Sequence, residues 1–298
     1  MKHLKRAGLV MTFLALAGSA FAQLGTSTKE ERLALTAAWT GERFPDGRPK
    51  VPDGLLERMK EVTAEEAWGV LTENGYRLQF EGGWREINAG PAGRRLVGRV
   101  VTAVFMPKRP DLDDAINKAA AAEGRIGRGQ NSWVIDTLLP GDVLVVDLYG
   151  KIDKGTFIGD NLGTSIYAKT KKGVVVNGSV RDLSGIMEIE GFHGFVRDFH
   201  PTALADATLV GINVPIRIGG VTVLPGDVVL SDPEGLTFIP PHLAEKVVLS
   251  SEEVRLRDTW GHEMLRQGKY TPGQIDAKWT DAMEAEFKAW LATRKPGP

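Results

Sequence analysis

Two hydrophobic patterns take turns along this chain: apolar residues at helical spacing, and short unbroken β-branched runs. The first predicts a helix over 29–39, opened by a Thr28/Glu31 capping box, and another over 54–60. A third starts at Thr63 with Glu66 and stops at Asn74-Gly75, placing Ala64, Ala67, Trp68 and Leu71 on one buried face. Asp111 to Glu123 is helical by Leu112, Ile116 and Ala119-Ala120, and Leu183 to Ile189 forms a short helix. The second pattern predicts strands over 96–106, over 174–176, and through Phe195 and Val196. Tyr76 to Arg94 mixes both signals and reads as a hairpin or loop. From His242 the chain turns helical, and Trp279, Met283, Phe287, Trp290 and Leu291 form an apolar stripe that must be buried, on the parent domain or on a neighbouring subunit.

Two segments resemble each other: Leu139-Pro140-Gly141-Asp142 leading to Asp147, and Leu224-Pro225-Gly226-Asp227 leading to Asp232. Each is a Pro-Gly-Asp turn feeding a buried strand, and turn-capping is the default role of the aspartate that ends it. Two copies suggest equivalent positions in a layered β-rich core, not a solenoid.

Between Gly159 and Asp182 both patterns meet. Leu162, Ile166 and Lys169 make a helix of about ten residues, with Asp160 or Asn161 as N-cap and Lys171-Lys172-Gly173 as its close. Val174 to Val176 then reads as a buried strand that Gly178 breaks just before Arg181-Asp182. A helix N-terminus presents unpaired N–H groups suited to a carboxylate, Arg181 is a second anion grip, and Asp160 and Asp182 are hard oxygen ligands for Mg2+. From the residues alone two readings stay open: a pocket for a small α-keto acid beside a divalent metal, or a helix cap with a surface ion pair.

Composition narrows the class. With 298 residues and a net charge of −1, the chain can bury a full core and carries no basic field for nucleic acid. The absence of cysteine rules out disulfides, a catalytic thiol and cysteine-held zinc or iron–sulfur centres. Lys2, Lys5 and Arg6, the apolar run Ala7 to Gly18, and Ala20-Phe21-Ala22 read as a secretory signal peptide over 1–22. The expectation is a periplasmic or secreted protein with no membrane contact after cleavage. An N-terminal arm and linker over 23–50, a domain over 51–245 and a helical extension over 246–298 follow. No histidine pair shows metal-ligand spacing; His200, beside Arg197 and Asp198, is the best placed as a base. Arg125 and Arg128 among glycines read as solvated charge or as an anion grip.

Several motifs in order carry a family resemblance: Pro140 to Asp147, Gly159-Asp160-Asn161-Leu162, Gly178-Ser179-Val180-Arg181-Asp182, Asn213-Val214-Pro215, and Gly219 to Val229. This block resembles the RraA-like family, which includes 4-hydroxy-4-methyl-2-oxoglutarate aldolases, oxaloacetate decarboxylases and non-catalytic regulators of ribonuclease E. The resemblance implies an α/β fold, a layered α-β-β-α sandwich, here with an added N-terminal arm and C-terminal helices. It implies a lyase that cleaves a C–C bond of an α-keto acid with Mg2+ or Mn2+. Asp182 falls on the metal ligand, Arg181 on the contact to the keto group, and Asp160 on the residue that orients metal-bound water. Gly159, Asn161 and Leu162 fall on the substrate-binding turn, whose amides take the carboxylate. Aldolases of the family usually carry two leucines where this chain has Asn161-Leu162, which changes pocket shape while keeping the amides. The resemblance also implies a homo-oligomer, trimer or hexamer, with the site at a subunit interface and a borrowed glutamate, for which Glu252 and Glu253 are candidates.

Overall fold

A computed structural model describes residues 26–88, 95–125, 127 and 129–294. The expected signal peptide, the end of the 76–94 hairpin and Arg128 lie outside the described residues.

The arm supplies α1 (Lys29–Leu35), which has the anticipated capping box but ends four residues short of Trp39. Helices α2 (Asp53–Met59) and α3 (Ala64–Glu73) follow, then the short strands β1 (Phe80–Glu81) and β2 (Arg85–Ile87). Trp68 is 50% exposed, contrary to expectation; Val70 takes its place beside Ala64, Ala67 and Leu71 on the buried face of α3. The organising strand is β3 (Val97–Pro107), followed by α4 (Pro110–Ala122), α5 (Gln130–Asp136), β4 (Asp142–Thr156), α6 (Asp160–Thr170), β5 (Val174–Val180), α7 (Leu183–Met187) and β6 (Gly194–Phe199). Next come β7 (Ala207–Ile212), the hairpin β8 (Ile216–Ile218) and β9 (Val221–Val223), then β10 (Val228–Asp232) and β11 (Gly235–Ile239). The chain closes with α8 (Ala244–Arg266), α9 (Pro272–Ile275) and α10 (Asp281–Thr293).

Strands β3, β4, β5 and β6 pair in parallel, each step crossing over through helices, as parallel neighbours require. On its other edge β3 pairs antiparallel with β10 and, past a bulge, with β7. The full order is β1-β11-β10-β3-β4-β5-β6-β2. Alternation along the strands sorts side chains into layers. Val101, Leu144, Val146, Val174 and Val176 face α4 to α7, while Val100, Val143, Val145 and Val175 face Val229, Leu236, Phe238 and the β8–β9 hairpin. Val228, Leu230 and Ile239 turn the other way, against α2, α3 and α8. The result is the layered α-β-β-α arrangement.

Two glycines serve packing and not the breaks that their spacing predicts. Gly178 does not end β5 but lies inside it, where a Cβ would approach Leu148 Cδ2 to 2.9 Å. Helix α6 closes on Lys171 in the left-handed region; Gly173 serves instead for close approach, since a Cβ there would lie 1.7 Å from the His193 carbonyl oxygen.

The Gly41–Pro52 stretch is no loose linker. Arg48 reaches Asp142 through two hydrogen bonds of 3.0 and 3.2 Å, with both side chains almost wholly buried, and Asp46 accepts from its Nε at 2.8 Å. Asp142 and Asp227 each accept the backbone N–H of the leucine that opens their turn, at 2.9 and 2.8 Å. The two turns flank Arg99 and Val100 of β3, but β4 leaves parallel to it and β10 antiparallel. Asp147 and Asp232 cap turns as expected, accepting from Tyr149 and Glu234.

The C-terminal stripe packs on its own chain. Trp260 of α8 meets Trp279 at 4.6 Å and Phe287 at 5.9 Å between ring centroids, and Met264 and Met283 complete the cluster. Helix α8 runs unbroken across position 245, its first half packed on α2 and α3. No helix among the described residues is long and apolar enough to cross a membrane.

Candidate functional site

Open parallel sheets gather ligands at the carboxyl ends of neighbouring strands, where the crossovers begin. Here β4 and β5 end together. Phe157 N–H donates to Ser179 O at 2.9 Å and Arg181 N–H to Ile158 O at 3.0 Å, so the ladder continues past β4 and sets Gly159 beside Arg181-Asp182.

Gly159 is the N-cap of α6, with Asp160 as its first residue, one position earlier than the sequence pattern suggests. A Cβ on Gly159 would lie 2.3 Å from Asp182 Oδ2, so only glycine leaves that carboxylate its place. Asp182 adopts φ 52°, ψ 41° and is the N-cap of α7. On the facing side, a Cβ on Gly185 would lie 2.8 Å from Asp160 Cβ. Two glycines thus make room for two carboxylates where α6 and α7 begin.

Few protein groups compete for them. Asp182 is 45% exposed and its ionic contact among the described residues is Arg181 Nε, at 3.7 Å. Asp160 Oδ1 accepts Asn161 N–H at 2.7 Å, while Leu162 N–H has no acceptor among the described residues. A substrate carboxylate can take Leu162 N–H directly and Asn161 N–H once Asp160 releases it.

Gly159, Leu162 and Arg181 line a cavity of about 810 Å³; Asp160, Asn161 and Asp182 stand beside it and not in its wall. Asn131 of α5, which also lines it, ties that helix to the strand end by donating to Phe157 O at 2.7 Å. Deeper in the wall, Asp113 accepts from Lys108, Asn117, Gln130 and Thr208 between 2.8 and 3.1 Å. Burial pushes the Asp113 carboxyl upward, but hydrogen bonds from Lys108, Thr208 and Gln130 overcome this and hold it below the usual range. Nothing in the sequence pattern signals this cluster, because its members come from α4 and the residues just before it, α5 and β7, and meet only through the fold. Arg125 lines the cavity too, paired with Glu123 at 2.8 Å.

The histidines separate by position. His193 is buried at the start of β6, the far end of the strands, with Nε2 2.5 Å from Glu86 Oε1. His200 lies at the site end: its N–H donates to Val180 O at 3.0 Å, and its ring contacts Thr202 Oγ1 at 2.9 Å. Glu252 is held within its own chain by Arg58, at 2.7 and 2.8 Å.

Among the described residues no group of three or more acids or histidines surrounds a common point. A closed zinc-type cage is not what these side chains build. One exposed carboxylate with a second nearby does fit a cation such as Mg2+, which keeps most of its water and takes one or two protein carboxylates.

A putative 4-hydroxy-4-methyl-2-oxoglutarate aldolase of Halalkalibacterium halodurans is 32% identical over 142 residues, 45% of this chain and 64% of that protein. A 4-hydroxy-4-methyl-2-oxoglutarate aldolase of Thermus thermophilus is 35% identical over 101 residues, 34% of this chain and 60% of its own. Less than two thirds of either relative is therefore spanned. Among solved structures, Streptomyces coelicolor RraAS2, described as an unusual member of the RNase ES inhibitor RraA family, aligns with TM-score 0.59 at 26% identity, covering 72% of this chain and 99% of that one. The sequence profile described as RraA-like, Aldolase/RraA, matches residues 63–238, well over half the chain, and this protein belongs to the RraA-like family.

Proposed function

We propose that this protein is a divalent-metal-dependent lyase that cleaves a C–C bond of an α-keto acid, by retro-aldol reaction or decarboxylation. The observation that carries the reading is the convergence of the α6 N-terminus with Arg181-Asp182 at the ends of β4 and β5, beside an open cavity. The aldolase names of the sequence relatives support it.

In this reading Asp182 would hold the cation, Mg2+ or Mn2+, and Asp160, at the neighbouring helix start, would orient water there. The cation, when bound, withdraws charge from the keto acid's carboxylate and keto oxygens. Leu162 N–H, joined by Asn161 N–H, holds the carboxylate, and the partial positive charge of the α6 terminus adds to the grip. Arg181 presents its guanidinium to the keto oxygen, where negative charge accumulates as the bond breaks. Gly159 keeps the backbone low enough for Asp182 to share that space. Asp160 would orient the water that accepts or returns the proton.

Asp182→Ala is expected to abolish metal-dependent pyruvate release from oxaloacetate or a 4-hydroxy-2-oxo acid, measured with a coupled dehydrogenase. Undiminished turnover in that variant would refute the assignment. A second reading, a binding protein without catalysis, draws on the likeness to the Streptomyces protein. Calorimetry separates the two: the lyase binds oxalate only with Mg2+ present, and the alternative binds neither. We also propose that the protein is exported and assembles as a trimer or hexamer with the site at the subunit interface. Cell fractionation and light scattering test these two points.

A further inference from the structure

The two Leu-Pro-Gly-Asp turns are built alike and completed differently. The first is closed by a cation: the Arg48 guanidinium lies against both carboxylate oxygens of Asp142. The next residue along the arm covers the second turn. A Cβ on Gly226 would lie 2.4 Å from Pro49 Cδ, so the arm packs as closely there as it does on the first turn. Proline brings neither charge nor donor. Asp227, 3% exposed, accepts Leu224 N–H through Oδ2, and among the described residues its Oδ1 accepts nothing.

Asp227 forms part of the wall of a cavity of about 220 Å³, separate from the one beside Arg181. Leu35, Leu224, Pro240 and Pro241 give that cavity an apolar body. At its edge Tyr76 Oη and His242 Nε2 stand 3.3 Å apart, and burial pushes the His242 imidazole down, so it brings no competing positive charge at pH 8.

We propose that this cavity is a binding site for a small organic monocation, an alkylammonium or alkylguanidinium, whose charged head pairs with Asp227 as Arg48 pairs with Asp142. The apolar walls take the alkyl body. A buried carboxylate with a free oxygen and no cation among the described residues favours such a ligand over an anion or a neutral molecule. Burial raises the Asp227 carboxyl to about 7, so the charged form that pairs with the ligand prevails at pH 8.

The test titrates n-butylammonium chloride into the full-length protein at pH 8, by calorimetry and by thermal shift, with 1-butanol as the neutral isostere. Saturable binding of the ammonium and not of the alcohol is expected. Asp227→Asn keeps the acceptor for Leu224 N–H and should weaken affinity about tenfold or more. Ala38→Trp plugs the exposed rim of the cavity without touching the carboxylate and should do the same, with the fold confirmed by circular dichroism. No saturable binding, equal binding of butanol, or unchanged affinity in either variant would overturn the proposal.

Discussion

The turn before β4 and the turn before β10 share four residues and one hydrogen-bond pattern, yet their aspartates live in different electrostatic worlds. Asp142 is buried with a bidentate guanidinium, and Asp227 is buried with a single backbone N–H. Desolvation raises the Asp227 carboxyl to about 7, with no cation among the described residues near enough to oppose it. Burial raises the Asp142 carboxyl as well, but there the Arg48 guanidinium opposes it, so what separates the two aspartates is the neighbour across the fold and not the motif. The same holds at the far end of β4, where Asp160 and Asp182 stay partly exposed because glycines make room for them and no cation closes tightly on them.

Removing the cation from the first turn should have the largest effect. Arg48→Ala leaves Asp142 buried and unpaired and strips the guanidinium from the Phe44 ring, 4.9 Å away. Urea unfolding at pH 7 should show a loss of about 3–5 kcal/mol. A loss under about 1 kcal/mol would mean that water reaches Asp142 and that the two turns do not differ as described.

Removing the charge from the second turn should act in the opposite direction. Native Asp227 keeps its proton to about pH 7, whereas the unfolded chain loses it near 3.8. Between these values the native state holds the extra proton, so this residue's contribution to stability falls as pH rises and is flat above about 7. Asp227→Asn should therefore stabilise the protein above pH 7 by up to about 4 kcal/mol, and by nothing below about pH 4. Melting curves across pH 4 to 8 check this; a gain that does not grow with pH would contradict it.

At the site end, Gly159→Ala tests whether glycine is there to admit a carboxylate. The backbone has φ −117°, which alanine tolerates, but the new methyl displaces Asp182. The protein should fold with an unchanged melting temperature while kcat/KM for keto-acid cleavage drops about 100-fold, as displacement of a positioned group by about 1 Å does. The smallest effect belongs to the exposed ion pair. Glu252→Ala breaks its pair with Arg58 and should leave the melting temperature unchanged, since solvent screens both partners.

Much was legible in order along the chain. The helix–strand alternation, the capping boxes at Thr28 and Thr63 and the aromatic stripe of α10 follow from local spacing and turn chemistry, while the family resemblance singles out Gly159, Asp160, Arg181 and Asp182. Local rules fail where a residue answers to something distant. Gly178 and Gly173 look like breaks but are clearances for Leu148 and the His193 carbonyl. Trp68 fits the helical face by spacing and still points to solvent, because α3 buries Val70 instead. The cavity cluster around Asp113 joins residues as far apart as Lys108 and Thr208.

By itself the sequence determined many of the helices and strands, which family the chain resembles, and which residues are candidates for the chemistry, because those depend on periodicity and on residue type at short range. Only the tertiary structure decided that the ends of β4 and β5 meet, that Arg48 reaches Asp142 and that no cation among the described residues reaches Asp227. Those facts rest on contacts between segments far apart in sequence, and a carboxylate's charge and free space are set by whatever the fold lays against it.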